Sequence, residues 1–430
     1  MRYPTFKADT AAFARTLIVV GVALTPLFSI GELLALLRGL VQSQVVAYTP
    51  VYVKSVKDIL MLVLIMLGLM RIARSGRTNL LAMPFLILLL YTAVVAVLAS
   101  DSLTLALAGL RWIVPVFVTF FIYEFVDQTL MQRLARLLGL MLIVQFSLQI
   151  VELFFMSHWY GSNAFGLAAR VPGFFLIPIT AGFFAMTVLF FVHFYAGGRT
   201  LRRVTYAIVP ASIFLTQSGT GLVVFAVVAA LLILGIRRIW LLLPVGAAAV
   251  AVLFPLLPAL TGRQQDYVAV SGGTRLDIFL NLFRHSEWVP TAFGYVTNTA
   301  VSLVANGASG LRTDAIPTIV DSTYASILGN LGVGGAIFFA LFCLTWAITV
   351  ICSRRLDLYV ATVIFVLYGV TTIMFEAYPM NLLMAVCGAY FLKQAYLPFW
   401  TGRTRWSLAG SPRASSAGDA QATILNISLR

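Results

Sequence analysis

Long apolar runs alternate with short polar breaks along the whole chain. The runs fall at 13–37, 51–70, 80–99, 106–124, 134–156, 173–195, 204–216, 219–235, 239–258, 321–350, 357–375 and 380–397. A helix crossing a hydrocarbon core of roughly 30 Å needs about 20 apolar residues. The pattern therefore predicts an all-α fold, a polytopic transmembrane helical bundle of about 12 spans forming one domain over 1–400. Residues 401–430, rich in Ser, Ala, Gly and Arg, read as a disordered cytoplasmic tail. Near the N-terminus, basic residues precede an apolar run from Leu17 to Ile30 with no A-x-A-like cleavage site after it, so a retained first span is expected.

Composition removes the main competing class. With 61% hydrophobic and 10% charged residues, no large soluble domain fits. The net charge of +14 resembles a nucleic-acid footprint, but the placement of the basic residues points elsewhere. With the N-terminus inside, 20 of the 29 Lys and Arg residues fall in connections expected on the cytoplasmic side or in the termini. They include Arg15, Arg71, Arg133, Arg202, Arg355 and Lys393, and they orient helices, so no nucleic-acid partner is expected. Both termini are then cytoplasmic.

Cys343, Cys352 and Cys387 lie in apolar runs without CxxC spacing, and His158, His193 and His285 are scattered. Neither pattern suggests a disulfide framework or a metal site. No fixed-period repeat is visible, and Walker, G-x-S-x-G, HExxH and DxD signatures are missing. No cofactor is expected.

Two connections on the outer side are long, 157–172 and 259–320, and the longer one is too rich in apolar and aromatic residues to be simply disordered. Within it Leu276, Phe279, Leu280 and Phe283 recur at helical spacing, with Asp277, Asn281 and Arg284 opposite. That pattern fits a short helix either lying at the membrane interface or capping the bundle. Glu376 sits in the turn before the last span, and Asp321 opens the span DSTYASILGNLG. Polar groups near membrane depth tend to line cavities or pair, although an Asp at a helix start also serves as an N-cap. Arg111, Lys54, Lys57 and Asp58 lie near outer span ends and either pair with neighbours or snorkel, with snorkelling anchors as the default reading. Gln217-Ser218-Gly219-Thr220-Gly221 reads as a tight turn or a re-entrant element.

In order, these residues resemble the bacterial O-antigen polymerase and ligase superfamily of polyprenol-dependent membrane glycosyltransferases. The likeness covers residues 100–395 and has four pieces: Arg170-Val171-Pro172-Gly173 entering a span with Pro178 inside it; LTQSGTGLVVF; Arg275 followed by Trp288-Val289-Pro290 and Phe293-Gly294-Tyr295; and Asp321-Ser322-Thr323-Tyr324 leading to Leu331-Gly332 and Gly334. The resemblance implies that Arg170 and Arg275 hold the diphosphate of an undecaprenyl-linked glycan from the periplasmic side. Guanidinium suits that task because it stays charged and binds phosphate oxygens in pairs.

Where the ligase branch carries a histidine this chain has Asp321, and where it carries an arginine after the serine of the turn this chain has Gly219. Repeat-unit polymerases look more like this chain, with an acidic residue and a segment like Glu376-Ala377-Tyr378-Pro379. The resemblance thus implies a GT-C-like polymerase of the bacterial inner membrane with its active site facing the periplasm. It would use undecaprenyl-diphosphate-linked donor and acceptor glycans to make O-antigen, capsule or exopolysaccharide. Asp321, Glu376 and Arg275 are the catalytic candidates; Arg170, Arg275, Arg312 and Tyr324 are the substrate contacts. Trp159, Tyr160, Trp288 and Tyr295 either stack on sugars or sit in the interfacial belt. A chain-length regulator and a flippase are the implied protein partners. The alternatives are an O-antigen ligase, a lipid-linked oligosaccharide transporter and an assembly partner.

Overall fold

The computed structural model describes residues 5–38, 49–75, 83–100, 102–155, 170–235, 276–290, 293–297, 322–353 and 355–400. Among these the chain is all-helical, without a strand. Helices α1 (Thr5–Ala23) and α2 (Ile30–Leu37) are joined by a 3-10 turn, Thr25–Ser29. Then follow α3 (Val51–Ser75), α4 (Met83–Ala99), α5 (Leu103–Phe121), α6 (Gln128–Phe155), α7 (Pro178–Tyr195), α8 (Arg199–Thr216) and α9 (Gly219–Leu234). A short α10 covers 276–284, and α11 (Thr323–Ser353), α12 (Leu356–Thr371) and α13 (Met380–Trp400) complete the order.

Helices occupy eleven of the twelve apolar runs, and the twelfth, 239–258, lies outside the described residues, as does the 401–430 tail. Among the described residues five helical segments are long and apolar enough to cross a membrane: Thr10–Ala35, Leu103–Phe121, Gln128–Phe155, Pro178–Tyr195 and Thr323–Ile351. Leu341, Leu344, Ile348 and Ile351 form one stripe of α11, each more than half exposed. Such a continuous apolar stripe suits lipid and not water.

Local sequence explains where elements begin and bend. Ser102 and Ser218 cap α5 and α9, their hydroxyls accepting from Leu105 N and Gly221 N, each at 3.2 Å. Pro178 stands at the first position of α7 and not inside a span, where its missing N–H costs nothing. The expected run 173–195 thus divides into a 3-10 turn, Gly173–Phe175, and the helix proper. The break at 217–218 is a tight turn, with Gln217 left-handed at φ 48°.

The core surrounds α7, buried on every side from Ala181 to Val192 and packed on α6, α8 and α12. Phe183 stacks on Tyr368 of α12 with ring centroids 4.5 Å apart.

Cross-links sort the bundle into two ends. At one, Arg15 pairs with Asp127 at 3.0 Å, Arg71 pairs with Glu124, and Lys393 donates to the Val126 carbonyl at 3.1 Å. Tyr195 donates to Asp357 nearby at 3.1 Å. This is the basic end. The other carries the 3-10 turn Thr25–Ser29, the start of α3, the 170–175 and 216–218 segments and the 372–379 connection.

Candidate functional site

Three polar groups build the end opposite the basic one. The first rests on α6, where Gln145, Gln149 and Glu152 share one face at i, i+4 and i+7 and are all buried. Each binds backbone of the segment that follows Arg170. Gln149 Nε2 donates to Val171 O at 2.8 Å, and Gln145 Nε2 donates to Pro172 O at 2.7 Å. Glu152 Oε2 accepts from Gly173 N at 2.8 Å, and Gln145 Oε1 accepts from Phe174 N at 3.1 Å. Gly173 has φ +61°, and a Cβ there would lie 2.5 Å from the Gln145 amide, so glycine is required. Arg170, half-buried, stands at the edge of this frame with Nε donating to Thr216 O at 3.2 Å.

Gln149 also accepts from Ser212 Oγ at 2.7 Å, joining α8 to α6. Replacing it with leucine strands the Val171 carbonyl and the Ser212 hydroxyl, each at a cost of about 1–3 kcal/mol. Gln149→Leu is therefore expected to lower the melting temperature of the purified protein and to leave the 170–175 segment more open to protease. An unchanged melting curve would contradict this.

The second group is the 372–379 connection holding Glu376. Thr323 Oγ1 donates to Thr372 O at 2.7 Å and accepts from Met374 N at 2.9 Å, which pins the start of α11 to this connection. Asn381 Nδ2 donates to Phe375 O at 2.8 Å, and Trp112 meets the Phe375 ring edge-on at 5.2 Å. With Ile373, Met374 and Phe375 buried, Glu376 is held half-exposed at the tip. Burial, with the Asp58 carboxylate beside it, keeps the Tyr378 phenol protonated well above its ordinary range.

The third group lies on α2, α3 and α5. Glu32 accepts from Thr49 and from Lys54, the latter at 2.7 Å, and Arg111 Nε pairs with Asp58 at 2.9 Å. Of the two readings, pairing holds for Lys54, Arg111 and Asp58 and the default of snorkelling does not, because adjacent helices bring opposite charges within contact. Lys57 Nζ stands 5.9 Å above the Tyr378 ring.

The groups are contiguous. Ser29 Oγ donates to Phe174 O, Phe28 packs edge-on against Tyr378 at 5.3 Å, and Tyr378 carries Lys57 over its face. A continuous wall thus runs from the Arg170 segment to the Glu376 turn and the α3 start. Arg275, Arg312 and Asp321 lie outside the described residues, as do Trp159 and Tyr160. Ser322, which follows Asp321 in the sequence, donates through Oγ to Gly369 O at 3.4 Å. The Tyr324 hydroxyl donates to Val366 O at 3.1 Å, so it is engaged at the α11–α12 contact.

Part of the long 259–320 connection folds into the bundle. Phe293 N donates to Ala99 O at 2.9 Å, and Phe293 is fully buried with Trp112 and Ile113. Tyr295 is 2% exposed, which corrects both readings of it as a sugar platform and as an interfacial aromatic; Trp288 at 67% remains exposed. Helix α10 packs through Ile278, Phe279 and Leu282 against Val296 and Ala325. Leu276, Leu280 and Phe283 stay outside, so only Phe279 of the expected apolar face turns inward.

The Gln145, Gln149 and Glu152 ladder was missed in the sequence reading, although three polar residues at helical spacing inside one apolar run are a costly placement that calls for partners. Among the described residues no group of three His, Cys, Asp or Glu could hold a metal ion. No known family, curated protein or solved structure matches this chain.

Proposed function

We propose that the protein is a polyprenyl-diphosphate-dependent membrane glycosyltransferase that polymerises undecaprenyl-diphosphate-linked repeat units on the periplasmic face of a bacterial inner membrane. The observation that carries this reading is the continuity of the wall from the Arg170 segment to the Glu376 turn. Two distant parts of the chain that the superfamily resemblance marks as functional meet at one end of an apolar helical bundle, opposite the basic end. In this reading the bundle has twelve spans and the basic end is cytoplasmic by the positive-inside rule.

Arg170 and Arg275 hold the donor diphosphate, and Arg312 and Tyr324 contact phosphate or glycan. The anomeric carbon–oxygen bond to the diphosphate breaks, and a new bond forms to a hydroxyl oxygen of the acceptor repeat unit. The hydroxyl proton passes to Asp321 or Glu376, and undecaprenyl diphosphate leaves with its charge stabilised by the arginines. No nucleotide is consumed.

Purified protein given lipid-linked repeat units should lengthen them without a nucleotide. Arg170→Ala and Arg275→Ala should each lower elongation by about 10²-fold, the usual loss when one charge-stabilising donor is removed. Arg170→Lys should recover only part of it, because an ammonium lacks the paired donor geometry. Full-length chains in cells carrying both alanine variants would overturn the assignment. A deletion strain should accumulate single repeat units on the final acceptor; long chains retained on the carrier lipid would indicate a ligase instead.

A further inference from the structure

We propose that Lys57 forms a second phosphate-binding pole that seats the diphosphate of the acceptor lipid, apart from the Arg170 pole of the donor; this rests on the polymerase reading. Joining two lipid-linked repeat units requires two diphosphates to be held at once, and the two arginines account for one.

Lys54, Lys57 and Asp58 share a face of the first turns of α3 at i, i+3 and i+4. Two of the three are matched: Lys54 by Glu32 at 2.7 Å, and Asp58 by Arg111 at 2.9 Å. Lys57 between them is not. Among the described residues its ammonium has no hydrogen-bond or ion-pair partner; its contact is the Tyr378 ring face at 5.9 Å. The charged groups around it are Arg111, Asp58, Glu376 and Lys54. The side chain is half-buried.

A half-buried ammonium set between two matched charges, with no ion-pair partner of its own among the described residues, is a place where an anion can add a favourable contact. Phosphate oxygens suit it, since lysine binds them as a point charge, and Arg111 adds a second positive charge nearby. Tyr52, Val56 and Ile59 are exposed apolar surface on the opposite face of the same turns of α3. A lipid-borne phosphate is separated from a free one by the test below. Glu376, in the same charged surroundings, then stands near the diphosphate end of the acceptor repeat unit.

The test is a titration of full-length protein in detergent with undecaprenyl diphosphate, counting bound lipids by native mass spectrometry. Wild type is expected to bind two. Lys57→Gln should bind one, Arg170→Ala one, the double variant none, and Lys57→Arg two. Lys57→Met, which keeps the stem against Tyr378, is read beside Lys57→Gln so that one misfolded variant does not decide the result. Inorganic pyrophosphate should displace the Lys57-dependent lipid, and excess phosphatidylglycerol should not. Two lipids retained in both Lys57→Gln and Lys57→Met, or equal displacement by phosphatidylglycerol, would overturn the second pole. A wild type that binds one lipid, lost in Arg170→Ala alone, would leave the polymerase reading standing without it. No binding by wild type would remove both.

Discussion

Replacing Gly332 with alanine is expected to abolish most of the folded protein. Gly332 breaks α11 with φ 66° and ψ −170°, a region open essentially to glycine alone and costing a side chain about 1–3 kcal/mol. Strain is the smaller part. A Cβ there would lie 2.6 Å from the Glu287 carbonyl oxygen and 2.8 Å from that of Trp288. Both contacts are backbone, so no side chain can swing away. The same carbonyls accept from Val333 N at 2.9 Å and Gly334 N at 3.3 Å, and the kink exists to make these bonds. Tyr91 of α4 donates to Trp288 O at 2.9 Å and to Leu331 O at 2.8 Å, adding a third element. Displacing the 287–288 backbone therefore separates α4, α11 and the loop together. The measurement is the monodisperse fraction by size-exclusion chromatography in detergent. Gly197→Ala, which meets nothing within 4 Å, serves as the control and should match wild type. A normal yield and melting curve for Gly332→Ala would sink the account.

Asn330→Leu should be nearly as damaging, through hydrogen bonding in place of sterics. The Asn330 side chain is fully buried two residues before the kink. Its Oδ1 accepts from Gly294 N and Val296 N, both at 3.2 Å, and its Nδ2 donates to Val296 O at 2.8 Å and Ser326 Oγ at 3.1 Å. All four bonding positions of the amide are used. Leucine has a similar volume and leaves two buried N–H groups without partners, a loss of about 2–6 kcal/mol for the pair. Ser326 Oγ still reaches Val296 O at 2.8 Å, so the carbonyl keeps one donor. The 293–297 segment should therefore detach before the helices melt. Limited proteolysis of the purified protein should show cleavage near that segment at temperatures where wild type is intact, together with a lower melting temperature. Resistance equal to wild type would refute the role given to Asn330.

These two positions show how the motifs divide. Gly332 and the Phe293-Gly294-Tyr295 segment were singled out for a functional resemblance, but in the described structure their work is architectural. A Cβ at Gly294, with φ +89°, would lie 2.3 Å from Leu105 O, and Phe293 fills the space above Gly109. They fasten the long connection onto α5 and α11. Arg170 and Glu376, by contrast, are held half-exposed by buried neighbours that carry the load, which is how a fold presents a chemical group.

From sequence alone the chain is a helical bundle of membrane type, because apolar length and the spacing of polar breaks are properties of each segment by itself. Eleven apolar runs became helices for that reason, and among the described residues Arg15, Arg71 and Lys393, which belong to the set expected on one side, meet at one end. Pairing was different in kind. Whether Arg111 meets Asp58 or snorkels, whether Tyr295 is wet or buried, and whether Lys57 finds a counter-ion depend on which helices are neighbours, and no local pattern encodes that. The kink at Gly332 belongs to the same class, since a glycine in an apolar run becomes a bend only where another backbone arrives to claim the freed N–H groups. Burial, adjacency and the charged surroundings of Lys57 were decided by tertiary packing, because electrostatic and steric energies depend on distances between segments far apart in the chain.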